Sequence, residues 1–167
     1  KFRAPFGGQL RLAVVAGAPT PVAVLKFMES LGVSMIEGYG LTETSPVVSI
    51  TWPNPEDRVN GTVGRPIPGV DIRIVKDGQD VAPGGEGELW VSGPNVLQGY
   101  WKQPEATAEV FEHCEEGKRW FRTGDLATVI DDGHIKITGR IKEQYKLENG
   151  KYVAPAPIEE AFLLNRY

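Results

Sequence analysis

Two carboxylates, an aromatic ring, a hydroxyl and a guanidinium stand out in this sequence because their neighbours leave them available for chemistry. In Gly38-Tyr39-Gly40-Leu41-Thr42-Glu43, glycines flank the aromatic residue, and a hydroxyl and a hard carboxylate follow at once. A flat purine can stack on Tyr39, a phosphate oxygen can accept from Thr42, and Glu43 offers the oxygen ligand that Mg2+ takes. A Gly-rich turn ending in a solvated glutamate explains the same residues, and both readings stand. Residues 121–126 (FRTGDL) read as a tight turn presenting Asp125 between apolar neighbours. That carboxylate is either a simple cap or a two-oxygen fork for both hydroxyls of a ribose. Hydrogen bonds to a charged group contribute about 1.5–3 kcal/mol, so the difference matters for binding. Thr138-Gly139-Arg140 closes a strand, with Lys142 two residues on. Asp125 and Arg140 flank one hairpin, which brings them within reach of each other.

The elements that must hold these groups follow from periodicity and punctuation. The apolar run 10–15 (LRLAVV), closed by Gly17 and Pro19, reads as a strand of a parallel sheet covered on both faces. Thr20 as N-cap and Pro21 at the first helical position open a helix. Val22, Leu25 and Met28 then fall at helical spacing until Gly32 stops it. Residues 33–37 form a second strand, completing a βαβ unit whose crossover should be right-handed. Its two turns, 16–19 and 38–43, then lie at the carboxyl ends of parallel strands, the edge where open α/β sheets bind ligands. Small residues there let a flat group approach the backbone. Prolines and glycines punctuate 52–69 too often for long elements. Beyond it strands are expected at 70–75, 88–92, 126–130 and 134–138, with turns at 76–78 and 131–133 and one helix at 105–112. Together they suggest a small, irregular barrel. A last hairpin around Asn149-Gly150 and an unfinished helix over 158–167 end the chain.

Composition narrows the field. With 167 residues, 41% hydrophobic and 24% charged, the chain has the make-up of one soluble globular domain. A net charge of -4 provides no field for nucleic acid. The single Cys114 forms no internal disulfide, which fits a reducing cytoplasm, and its acidic neighbours make it a poor nucleophile. His113 and His134 read as solvated, and with one cysteine they build no zinc-type cluster. There is no G-x-x-x-x-G-K-[ST] loop. No apolar run approaches the ~20 residues that span a bilayer, and no signal-peptide pattern opens the chain. A start on Lys1 and an end inside a helix suggest an internal piece of a longer protein.

Four stretches in order, GYGLTETSP (38–46), GELWVSGPNVLQGYW (87–101), FRTGDL (121–126) and TGR (138–140), resemble consecutive motifs of the adenylate-forming superfamily. That superfamily includes acyl-CoA synthetases, luciferases and peptide-synthetase adenylation domains. The opening FGGQLRLAVVAGAP and the closing GRIKEQYKLENGKYVAPAPIEEA are most similar to long-chain fatty acyl-CoA synthetases. The likeness covers nearly the whole chain. It implies an α/β fold in three parts: the C-terminal part of a large nucleotide-binding lobe (1–59), a small distorted antiparallel β-barrel (60–140), and a hinge with the first hairpin and helix of a truncated C-terminal domain (141–167). It implies that a carboxylate attacks the α-phosphate of ATP to give acyl-AMP, after which CoA displaces AMP.

Carried over residue by residue, the resemblance implies that Gly17, Ala18 and Pro19 line the adenine pocket with Gly40, and that Tyr39 stacks on the base. Thr42 touches the α-phosphate, Glu43 holds Mg2+, Asp125 binds the ribose hydroxyls, Arg140 lies beside ribose and phosphate, and Lys142 is the hinge. Gly38 and Gly40 would also border the acyl tunnel. The superfamily's phosphate loop falls before position 1 and its catalytic lysine beyond Tyr167, so the piece alone should not turn over. The implied partners are a fatty acid, ATP and CoA, in a cytoplasmic enzyme with no transmembrane segment, for which peripheral membrane association stays open. Two rivals remain: adenylation of another acid (aryl, luciferin-like or amino acid), and a non-catalytic binding module of the same fold.

Overall fold

The apolar run near the start forms strand β1 (Leu12–Ala16) of the computed structural model, which describes residues 4–18, 20–52, 54–113, 117–146 and 152–153 with the single positions 155, 158 and 162. Helix α1 (Val22–Ser30) returns the chain to β2 (Ser34–Gly40), which lies parallel to β1 in the register Leu12↔Ser34 to Ala16↔Gly38. The helix begins differently from expectation. Pro21 occupies the N-cap with no side-chain cap, so Thr20 does not serve there. One face of β1 is covered, where Ala13 and Val15 pack with Leu25, Val33 and Met35 around α1. The other face is open, with Leu12 and Val14 exposed. The expectation of a strand buried on both sides therefore fails in this chain, because one helix supplies only one covering layer.

β2 runs longer than the sequence pattern implies and takes in Gly38, Tyr39 and Gly40, which read as a turn. The cause is an antiparallel return, β3 (Val47–Ile50), paired Gly38↔Ile50, Tyr39↔Ser49 and Gly40↔Val47. At Gly40 a Cβ would collide with the Pro46 carbonyl, so glycine is needed for close backbone approach rather than for turning. β4 (Arg65–Pro66) joins β3, completing a four-stranded sheet in the order β1-β2-β3-β4.

The second sheet has six strands: β5 (Asp71–Lys76), β6 (Gln79–Asp80), β7 (Gly87–Ser92), β8 (Phe111–His113), β9 (Arg119–Ile130) and β10 (His134–Arg140). Their order is β10-β9-β7-β5-β6, with β8 also paired to β9, and every pairing is antiparallel. The sheet is curled but open. No strand joins β6 to β10 among the described residues, so the expected small distorted barrel is a half-barrel. With only two residues, β6 is too short to carry pairing round. The open side is met by the first sheet instead. Val63 N–H donates to the Ile135 carbonyl and Ile135 N–H to the Gly64 carbonyl, both at 2.8 Å. Val48 of β3 is buried in one cluster with Val70, Ile74, Leu89, Val91, Ala127 and Ile135. A shared core thus fixes the two sheets against each other.

Arg73 is inserted between Trp90 and Trp120, 5.7 and 5.4 Å from their ring centres, and covers them with cation–π contacts. Helix α2 (Pro104–Val110) stops short of the expected 112 because Phe111 already pairs with Phe121 in β8. His134 is 2% exposed, not solvated, and its Nε2 lies 3.1 Å from the Asp57 carbonyl. The pairing of β11 (Tyr145–Lys146) with β12 (Tyr152–Val153) forms the expected last hairpin, while its Asn149-Gly150 turn lies outside the described residues, as do Cys114 and most of 158–167. No helix among the described residues is long and apolar enough to cross a membrane.

Candidate functional site

The stretch that resembled a tight turn, 121–126, lies inside the twelve-residue strand β9. Its register against β7 passes from Trp90↔Arg122 to Glu88↔Leu126, so that Leu89 alone faces Thr123, Gly124 and Asp125. This is a bulge, and Gly124 takes the left-handed backbone (φ 73) that it requires. On the other edge of β9, Asp125 stands directly opposite Arg140 of β10.

Asp125 is the centre of the cluster and is 6% exposed. Arg140 Nε donates to its Oδ1 at 2.8 Å, and the Tyr39 hydroxyl donates to its Oδ2 at 2.6 Å. The second bond crosses from β2 of the first sheet to β9 of the second, so residues from three separated motifs meet at one carboxylate. Burial pushes the Tyr39 hydroxyl well above the ordinary tyrosine range, and the Asp125 charge and hydrogen bond add to it. The hydrogen bond to Asp125 and its charge likewise raise Arg140, so the guanidinium keeps its proton. Each carboxylate oxygen carries two lone pairs and accepts one bond here. Asp125 therefore retains acceptor capacity for hydroxyls, in a place where Arg140, half exposed, is the side chain facing outward.

A second group lies one short turn away. Residues Thr42–Thr44 form a 3-10 turn after β2, held by Thr44, which is fully buried. Its Oγ1 accepts from Leu41 N–H at 2.9 Å and lies within donating distance of the Leu41 and Pro46 carbonyls. Asn95 pins the same loop from the far side, its Nδ2 donating to the carbonyls of Thr44 (3.0 Å) and Val47 (2.7 Å). Glu43 is half-buried, and its Oε1 accepts from the Tyr100 hydroxyl at 2.9 Å, a bond that raises Tyr100 after burial has done so. The other Glu43 oxygen has no partner among the described residues. One free hard oxygen suits Mg2+, which binds through one or two carboxylates and takes the rest of its shell from water and phosphate. Among the described residues no three His, Cys, Asp or Glu gather into a metal cluster.

The other expected residues are placed as follows. Gly17 and Ala18 are exposed just past β1, and the Ala16↔Gly38 pairing sets them beside the strand that carries Tyr39. Pro19 lies outside the described residues. Gly40 ends β2, Thr42 is exposed, and Lys142 is exposed in the turn Ile141–Glu143 beyond β10. A shallow hollow of about 500 Å3 lies beside α2, lined by Tyr100, Trp101, Lys102, Phe111 and Arg119 among others, and contains neither Asp125 nor Arg140. It is distinct from the cluster, and its chemistry is aromatic and cationic rather than carboxylate.

Sequence reasoning missed four supporting residues. Tyr100, Asn95 and Glu88 sit in the recognised stretch 87–101, and a polar residue inside an otherwise apolar strand, as in Gly87-Glu88-Leu89-Trp90, was the available signal. Glu37 is the fourth. It is 9% exposed in β2, two residues before Tyr39, and burial lifts its carboxyl to about 7.

Residues 1–101 match the AMP-binding enzyme family, and the chain belongs to it. Long-chain-fatty-acid–CoA ligase FadD15 of Mycobacterium tuberculosis is 44% identical over 160 residues, which is 96% of this chain and 24% of that protein. Human long-chain-fatty-acid–CoA ligase 1 is 39% identical over 166 residues, 98% of this chain and 23% of its own length. The chain thus spans about a quarter of the relatives it matches. Among solved structures, O-succinylbenzoate coenzyme A synthetase (MenE) from Bacillus subtilis in complex with ATP and magnesium superposes with a TM-score of 0.82 at 26% identity, over 96% of this chain and 34% of that one. A long-chain-fatty-acid–CoA ligase (FadD1) from Archaeoglobus fulgidus gives a TM-score of 0.73 at 26% identity, over 80% and 29%.

Proposed function

We propose that this chain is a portion of a cytoplasmic, ATP-dependent acyl-CoA synthetase that activates a long-chain fatty acid as acyl-AMP and passes the acyl group to CoA. The observation that carries the reading is the hydrogen-bonded cluster Tyr39–Asp125–Arg140, in which three separated motifs converge on one carboxylate. The ribose hydroxyls donate to Asp125, the adenine stacks on Tyr39 with Gly17, Ala18, Pro19 and Gly40 around it, and Arg140 lies beside ribose and phosphate. Thr42 donates to an α-phosphate oxygen. Glu43 would hold Mg2+, which when bound neutralises phosphate charge. In the first step a carboxylate oxygen of the acid bonds to the α-phosphorus and the bond to pyrophosphate breaks. In the second the CoA thiolate bonds to the acyl carbon and AMP leaves. Preorganised donors of this kind act where negative charge builds up.

The same reading divides the chain into the end of a nucleotide-binding lobe (1–59), a small β subdomain (60–140), and a hinge at Lys142 leading into a C-terminal domain (141–167). The uncovered apolar face of β1 supports a larger parent, since Leu12 and Val14 need a covering layer. The acid class rests on the sequence relatives, at 44% and 39% identity. The fold does not favour fatty acids, because the o-succinylbenzoate enzyme superposes at least as well as the fatty-acid one. A panel of fatty, aryl and amino acids, assayed for ATP–pyrophosphate exchange and CoA thioester with the full-length protein, tests this. Turnover should be confined to long-chain acids; turnover of an aryl or amino acid alone would reassign the substrate. The 167-residue chain by itself should give no exchange.

A further inference from the structure

The bulge that carries Asp125 is held from behind by a side chain whose hydrogen bonds go to Gly124, Trp90 and Arg122 and not to Tyr39, Asp125 or Arg140. Glu88 of β7 has a side chain only 12% exposed, and it accepts from three donors. Its Oε1 accepts from the Gly124 N–H at 3.1 Å. Its Oε2 accepts from Trp90 Nε1 at 2.9 Å and Arg122 Nε at 3.3 Å. Thr123 closes the other side, donating its hydroxyl to the Leu89 carbonyl at 2.7 Å and accepting from the Asp125 N–H at 3.1 Å. A two-residue excess in β9 has many ways to relax, and most would turn Asp125 away from Arg140 and Tyr39. A carboxylate on the Gly124 amide and a hydroxyl on the Asp125 amide fix the two peptides that set its direction.

We propose that Glu88 is a positioning residue for the nucleotide ribose, acting with Thr123 through the Gly124 and Asp125 amides to aim the Asp125 carboxylate. The inference rests on the assignment of Asp125 to the ribose, and the test separates the two. In Glu88→Gln, one acceptor becomes a donor. The new NH2 faces either the Gly124 N–H or the Trp90 and Arg122 donors, so one side of the clasp is lost. Thr123→Val removes the hydroxyl from the Leu89 carbonyl and the Asp125 amide, and with it the contact to the Tyr39 hydroxyl. Trp90→Phe removes one of the two donors on Glu88 Oε2 while leaving the Gly124 bond, and so reports on loosening around Glu88 rather than on the Gly124 clasp.

With the full-length enzyme, kcat/KM is measured for ATP and for 2′-deoxy-ATP, which lacks one of the gripped hydroxyls. Glu88→Gln and Thr123→Val should each shrink the ATP preference by about five- to tenfold, toward the ratio seen in Asp125→Ala, with the KM for the acid unchanged. Trp90→Phe should lower Tm and keep the preference. If Glu88→Gln and Thr123→Val retain the wild-type ratio while Asp125→Ala loses it, the clasp is wrong and the ribose assignment survives. If Asp125→Ala retains it as well, the ribose assignment itself falls. An equal loss in Trp90→Phe and Glu88→Gln would reduce Glu88 to ordinary packing and overturn the proposal.

Discussion

Asp125 and Glu43 are the two carboxylates of the site, and they are held in opposite ways. Asp125 is 6% exposed on a bulged strand, with Tyr39 on one oxygen, Arg140 on the other, and its backbone clasped from β7. Glu43 sits half-buried on a short turn, with one oxygen on Tyr100 and the other free. The first is preorganised within this chain, so it can select a ligand by shape before anything else is present. Under the proposed function the second is completed by a cation and phosphates. The ribose end should therefore govern nucleotide affinity and the phosphate end the rate of adenylation.

Substitutions at the two ends can break that division. Glu43→Ala should lower single-turnover pyrophosphate release by about 10²–10³-fold while AMP affinity changes little; a matching loss of AMP affinity would erase the distinction. Asp125→Ala should weaken ATP and AMP binding by about 10–100-fold, read by calorimetric titration, with binding of the acid unchanged. Glu37 sharpens the picture of β2 as a dry strand. Its folded carboxyl titrates at about 7, above the ordinary 4.5, so the protonated form is favoured in the folded state. That contribution is complete below about 4.5 and is lost as pH rises through about 7. Between about pH 5 and about pH 8 the unfolding free energy should fall by about 2 kcal/mol more in the parent chain than in Glu37→Gln, measured by urea midpoints. Last, Tyr100→Phe removes one bond to Glu43 and should raise the Mg2+ concentration for half-maximal rate by about threefold, with the KM for ATP at saturating Mg2+ unmoved.

The legibility of the molecule divides along similar lines. Thr42, Glu43, Asp125 and Arg140 were visible because their side-chain chemistry is written in the residue type and their motifs come in order. The βαβ unit was visible because apolar runs and Gly–Pro punctuation are local. What escaped was non-local. Gly38 and Gly40 look like turn glycines, yet both lie in strand β2 paired with β3, and Gly40 serves the close approach of that strand, which nothing within a few residues announces. The stretch 121–126 looks like a turn because Gly124 and Asp125 interrupt its apolar neighbours, and only the partner strand β7 shows it to be a bulge with Gly124 left-handed. Barrel closure likewise depends on how far β6 extends and on what meets the open edge, here residues 63–64 against β10. His134 resembled a turn histidine until the segment carrying Asp57 folded over it.

The central claim is that the Tyr39–Asp125–Arg140 cluster is where the nucleotide sugar is held. A crystal structure of the full-length protein with AMP tests it most directly. The account predicts ribose hydroxyl oxygens within about 3 Å of the Asp125 carboxylate and the adenine against Tyr39. A nucleotide bound elsewhere, with Asp125 still closed by Tyr39 and Arg140, would contradict it.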